Sequence, residues 1–294
     1  MHSRQRTYIE FDLSRDPRVR DLLRMALEED LGEAGDVTSR ALMPGAKTLV
    51  HMVTREDCVP AGLPLAAMVF QAVDPSVHVE MLAEDGQPLE AGADLMRISG
   101  SAQSVLSAER TALNFVQRLS GIATITRRYV DRVADLGTQI LDTRKTTPGW
   151  RVLEKYAVHC GGGVNHRAGL FDQILIKDNH LAHWRRSTGK SIADAVRSAR
   201  AAAPGLLVEV EADTLSQVQR LLEAEPDWIL LDNMTCSELS ACVELCRGRC
   251  KTEASGGITL DTLRAVAETG VDAISVGALT HSVRAVDIAL DTPA

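Results

Sequence analysis

Aromatic side chains are scarce: Phe, Trp and Tyr together make up 3% of the 294 residues, so Leu, Val, Ile and Ala must fill any core. Long apolar runs are missing too. No stretch approaches the ~18 consecutive apolar residues that a membrane-spanning helix needs, which excludes one. The basic residues of the N-terminal MHSRQRTYIEFDL have no hydrophobic region behind them, so no secretory signal is expected. Positive charge is not in excess: 32 Lys and Arg face 40 Asp and Glu, a formal net charge of −8, which argues against a nucleic-acid partner. Zinc-type C-x-x-C pairs are absent, as is a G-x-G-x-x-G turn after an early strand, so a zinc site and a dinucleotide fold lack their main support. The six cysteines suit a reducing cytoplasm, the compartment expected. Cys242, Cys246 and Cys250 fall at i, i+4 and i+8 and read as one buried helix face.

What is present divides in two. The segment from Asp16 to Leu31 reads as a helix, with Pro17 in its first turn and Val19, Leu22, Leu23, Ala26 and Leu27 at helical spacing. Strand-like pieces follow at Thr48–Thr54, Val77–Leu82 and Asp94–Ser99, with a short apolar helix at Pro64–Val73. A long helix is expected over Ser101–Leu119, broken at Gly121 and followed by another through Ile125–Leu136. Beyond Gly137 short apolar strands alternate with amphipathic helices. The strands are Gln139–Asp142, Gln173–Ile176, Leu206–Val210, Trp228–Leu231, Lys251–Ala254 and Ala273–Val276, and the last four start 22 or 23 residues apart. This is a parallel βα repeat. Nearly every strand is followed at once by charged residues or glycine, which favours an incomplete (β/α) barrel with its site on the C-terminal rim. The expected fold class is therefore α/β, with a separate α+β domain before the barrel.

The chemistry gathers at those strand ends. Arg144, Lys145 and Lys177 follow directly on strands, with His166 and Arg167 nearby, in a chain that is acidic overall. Such a rim would focus on a small polyanion, Arg matching planar carboxylates and Lys supplying point charge. Arg151 and Lys155 fit a solvated helix face as well as a binding role. Glu209 and Glu211 alternate along a strand and point the same way; Glu211 and Asp232 make a platform for Mg2+ held largely through water. Internal salt bridges to the basic cluster are the competing reading for these carboxylates. Ser255-Gly256-Gly257 and Ser275-Val276-Gly277-Ala278 end the last two strands and favour a phosphate cradle, although tight turns also need glycine. Gly161-Gly162-Gly163 marks a flexible or closely packed loop. The combination points to transfer or rearrangement of a phosphorylated sugar. The rivals are a barrel aldolase or isomerase using Lys145 or Lys177 as a Schiff base, and a non-catalytic binding barrel.

Longer motifs carry a resemblance. EDLG at 29–32 and GDVTS at 35–39 precede AERTALN at 108–114. DTRKTTPGWR at 142–151, GGGVNHRAGLFDQILIKDNH at 161–180, VEVEAD at 208–213, LLDNM at 230–234, EASGGI at 253–258 and SVGALTHS at 275–282 follow in order. Across nearly its whole length the sequence resembles the quinolinate phosphoribosyltransferase family. The resemblance implies an N-terminal α/β sandwich domain over 1–120, an incomplete α/β barrel over 121–280, and a C-terminal segment, 281–294, packing back on the first domain. It implies conversion of quinolinate and 5-phosphoribosyl 1-pyrophosphate to nicotinate mononucleotide, pyrophosphate and carbon dioxide, with Mg2+. Arg144, His166, Arg167 and Lys177 would hold the quinolinate carboxylates, and Lys145 would lie near the donor's leaving pyrophosphate. Glu211 and Asp232 would face the ribose and metal. Ser255, Gly256, Gly257, Ser275, Val276, Gly277 and Ala278 would grip the 5′-phosphate. A head-to-tail homodimer is implied, with Arg110 entering the neighbouring site.

Overall fold

The computed structural model describes residues 11–292. The chain divides into two units, one holding Arg128–Arg144 and Gly163–Gly277 and the other holding the rest of the described residues. The latter begins with α1 (Pro17–Leu31), where the Asp16 carboxylate caps the helix by accepting from the Arg18 amide and Pro17 presets the first turn. Then come α2 (Val37–Leu42), β1 (Lys47–Thr54), α3 (Leu63–Val73), β2 (His78–Met81), β3 (Asp94–Ser101) and α4 (Ala102–Arg132). The N-terminus of α3 is capped from a distance. Asp85 accepts from the Gly62 and Leu63 amides and from the Tyr156 hydroxyl, while burial raises its pKa against those bonds.

The break expected at Gly121 does not occur; α4 runs unbroken for 31 residues. A Cβ at Gly121 would overlap the Arg284 carbonyl, so the glycine serves close approach of another chain segment. On the same helix Thr124 and Ser120 accept from the Val59 and Ala61 amides, satisfying loop backbone that no ladder reaches. Gly161 belongs to the same kind of packing: its Cβ would meet the Ala123 carbonyl and Thr126. The close-packed reading of that triplet holds there.

The parallel sheet starts with β4 (Gln139–Leu141), followed by α5 (Arg151–Cys160), which groups with the unit that holds α1. Next come β5 (Ile174–Ile176), α6 (Asp178–Thr188), α7 (Ile192–Ala202), β6 (Val208–Ala212) and α8 (Leu215–Leu221). The remaining elements are β7 (Trp228–Asp232), α9 (Cys236–Cys246), β8 (Lys251–Ser255), α10 (Leu260–Ala267), β9 (Ala273–Ser275), α11 (Ala278–His281) and β10 (Ile288–Asp291). Six strands lie in the order β4-β9-β8-β7-β6-β5 with parallel pairing throughout. That is a ring cut once, between β4 and β5, the connectivity of an open barrel. A parallel bridge from Leu141 to Val164 lines part of the cut edge. Leu141, Leu207, Trp228 and Ala273 cluster in the barrel core, with Val164 packed against them. In the first unit the sheet order is β10-β1-β3-β2, all antiparallel.

Candidate active site on the barrel rim

Asp142 sits just past β4, fully buried, and organises the loop that carries the expected ligands. Its carboxylate accepts from the Asn165 side chain at 2.7 Å and from the His166 amide at 2.8 Å. His166 is thereby turned into the barrel, where its Nε2 lies 2.9 Å from Glu209 and 3.4 Å from Glu253. All three side chains are buried. Burial opposes the imidazolium, but Glu253 and Glu209 outweigh it and raise its pKa to about 9. The three groups have metal-ligand spacing. With the imidazole protonated, the three form a buried ion-paired core. This narrows one expectation: the Nε2 of His166 is engaged by protein carboxylates. Glu209 likewise separates from the rim acids, its Oε2 also accepting from Gln173 at 2.5 Å.

Arg167 is buried next to this triad and donates to the Gln173 carbonyl at 3.5 Å. Its pKa is lowered, first by burial and then by the charge of Arg144. An anion bound at Arg167 would offset both effects. Lys177, half-exposed after β5, reaches Glu211 at 3.3 Å. The oxygens of Glu211, Asp213 and Asp232 lie within 4.8 Å of one another. Burial raises the pKa of Glu211, Lys177 lowers it, and Asp232 and Asp178 raise it again. Partly exposed oxygen donors in this number suit a hard cation that keeps some of its water, so Mg2+ fits.

The glycine loops resolve differently from each other. Asn233, after β7, adopts a left-handed φ of 54°, and its amide donates to the Ser255 carbonyl at 2.9 Å. Gly256 packs so closely on Asn233 that a Cβ would overlap its side chain and backbone, and its φ is 101°. Gly256→Ala is therefore expected to lower stability by about 3 kcal/mol, from overlap and the disfavoured backbone together. A urea midpoint unchanged from wild type would refute that reading. Val276 follows β9 directly: its side chain is buried and its amide donates to the Leu141 carbonyl at 2.9 Å. That leaves it no amide for a phosphate. α11, with four residues, has too short a dipole to add much.

Arg110, Lys145 and Ala278 belong to the other unit. Arg110 is exposed on α4, and the Lys145 carbonyl accepts from the Thr280 hydroxyl at 2.7 Å. In that unit Glu154, fully buried, pairs with Arg118 at 3.1 Å and accepts from Thr147, fixing the segment after Lys145. Lys155 is buried on α5, so its surface reading is withdrawn. Asp142, Asp213, Asn233 and Glu253 were not singled out as site residues from sequence. Each lies within a motif already quoted; adjacency to a strand end was the available signal for Asp142, Asp213 and Asn233, while Glu253 sits in the middle of β8.

Residues 36–120 match the quinolinate phosphoribosyl transferase N-terminal domain, and residues 122–291 match its C-terminal domain. A carboxylating nicotinate-nucleotide pyrophosphorylase of Mycobacterium leprae (strain TN) is 46% identical over 279 residues, 93% of this chain and 96% of that one. A mitochondrial decarboxylating quinolinate phosphoribosyltransferase 2 of Nicotiana glauca is 42% identical, over 92% of this chain and 81% of that one. The solved structure of nicotinate-nucleotide pyrophosphorylase from Francisella tularensis superposes with a TM-score of 0.91 at 37% identity, covering 98% of this chain and all of that one.

Proposed function

Because the chain belongs to the quinolinate phosphoribosyltransferase family, we propose that its barrel rim carries out the decarboxylating transfer. The reaction joins quinolinate to 5-phosphoribosyl 1-pyrophosphate and releases pyrophosphate and carbon dioxide, leaving nicotinate mononucleotide. The observation that supports it best is that Arg167, within reach of the Arg144 charge, and the acidic trio of Glu211, Asp213 and Asp232 belong to the same set of strand ends. A dicarboxylate relieves the repulsion of the two guanidinium groups and is oriented by their planar forks. Lys177, paired with Glu211 at 3.3 Å, adds positive charge to the same rim.

With quinolinate held, its ring nitrogen is positioned to form the bond to C1 of the ribose as the bond to pyrophosphate breaks. Glu211 and Asp232 face the positive charge that develops on the sugar, Lys145 draws the leaving pyrophosphate, and the Ser255–Gly257 and Gly277 turns hold the 5′-phosphate. Mg2+, when bound by Glu211, Asp213 and Asp232, supplies charge neutralisation for the pyrophosphate. The alkylated nitrogen is cationic. The carboxylate beside it leaves as carbon dioxide, the bonding pair stays on the ring carbon next to that nitrogen, and a proton then adds there. No organic cofactor is required.

We further assign the working form as a homodimer in which Arg110 serves the neighbouring protomer's site, and its compartment as the cytoplasm. Among the described residues no helix is long and apolar enough to cross a membrane. The deciding experiment offers quinolinate or nicotinate with 5-phosphoribosyl 1-pyrophosphate and Mg2+, following mononucleotide and carbon dioxide. Equal amounts of both products, from quinolinate alone, are expected. Product from nicotinate without carbon dioxide would move the chain to a non-decarboxylating activity.

A further inference from the structure

The cysteine pattern read from sequence as one helix face is interrupted in the structure. α9 ends at Cys246; Arg247 leaves helical geometry and Gly248 turns the chain with φ 73°. Cys250 therefore lies beyond the helix, half-exposed, with its amide donating to the Cys246 carbonyl at 3.2 Å. The two thiols shift each other's pKa in opposite directions. Both line a cavity of about 500 Å³ with Arg247, Arg249, Lys251 and Asp272. Lys251 opens β8 and Asp272 precedes β9, so this cavity lies at the opposite end of the strands from Ser255 and Ser275. The reaction on the rim does not use it.

We propose that Cys246 and Cys250 form a reactive thiol pair, a second chemical site of the barrel that small oxidants and anionic electrophiles reach through this cavity. Cys250 is the attacking sulfur. Its neighbour Cys246 and the positive charge of Arg249 lower its pKa, while burial, Asp272 and Asp227 oppose the thiolate. The pKa of Cys246 is raised by the neighbouring Cys250 and by burial. Asp272 is itself paired with Lys251 at 2.5 Å, which blunts its opposition. With a peroxide, the Cys250 thiolate takes one oxygen, breaking the O–O bond and releasing hydroxide to leave a sulfenic acid. The Cys246 sulfur then displaces the hydroxyl, its proton leaving with it as water, to close a disulfide. The peroxide is reduced by two electrons and the pair is oxidised by two.

Full-length protein treated with hydrogen peroxide and digested with trypsin tests this directly. Cleavage after Arg247 and Arg249 puts the two cysteines in different peptides, so the bond appears as a linked Cys250-Lys251 dipeptide that reductant releases. In Cys246→Ser the reaction is expected to stop at a sulfenic acid on Cys250 that dimedone traps; in Cys250→Ser neither product forms. The unmodified protein gives a check that needs no variant: alkylation of Cys250 should turn on at lower pH than alkylation of exposed Cys236. Linkage through another cysteine overturns the proposal, as does dimedone on Cys246 first, or a Cys250 that alkylates only at the pH of Cys236.

Discussion

An Arg167→Ala protein should use quinolinate roughly 10²- to 10³-fold less efficiently in kcat/KM, the loss expected for one desolvated partner of a charge-assisted pair. Its KM for 5-phosphoribosyl 1-pyrophosphate should stay close to the wild-type value. The asymmetry follows from position. Arg167 is buried within reach of the Arg144 charge, and its NH1 donates to the Gln173 carbonyl at 3.5 Å, so a guanidinium fork is held at the strand ends where a dicarboxylate would be read. Arg167→Lys keeps the charge and loses the fork, and should fall between the two. Steady-state kinetics with each substrate varied in turn decides the matter; equal losses toward both substrates would remove Arg167 from the dicarboxylate site.

The second large effect concerns stability. His166→Ala should cost about 3–5 kcal/mol near neutral pH, because it removes the imidazolium that faces the Glu209 and Glu253 carboxylates in a buried setting. The wild-type protein should report the same group through pH. The folded pKa of His166, about 9, lies above the ordinary value of 6.5, so its contribution is complete below 6.5 and fades as pH rises through 9. The shift corresponds to roughly 3 kcal/mol. Urea unfolding from pH 6 to 10 should show stability declining over that window in the wild type and a flatter profile in the variant. A wild-type profile that rises with pH over the same range would overturn the assignment.

Much of this was legible in the residues, and the misses have physical causes. The βα spacing placed all six barrel strands, since parallel strands buried on both faces leave short apolar runs bounded by polar ends. Strand β6 was displaced: expected from Leu206, it starts at Val208, because Leu206 and Leu207 are still leaving the Pro204-Gly205 turn. Gly121 misled because glycine in a helix reads as a breaker when its reason is another segment's carbonyl, which no local window contains. Glu209 and Glu211 share a strand face, as alternation required, but depth separates them: one meets His166 in the core and the other meets Lys177 at the rim. Period alone does not carry depth. Cys250 failed for a similar reason, since i, i+4, i+8 presumes a helix that Gly248 ends.

The order of the antiparallel sheet has a consequence during synthesis. β1 is flanked by β3 on one side and by β10, the chain's last strand, on the other, with Thr54 opposite Ile288 and His51 opposite Asp291. While the ribosome is still making the barrel, β1 shows an open edge to everything around it, and such edges recruit foreign strands. The first unit to emerge is thus the last to be finished. A nascent chain stalled before Ile288 should be the form most prone to clump, and a truncation there would harm yield before it touched the chemistry.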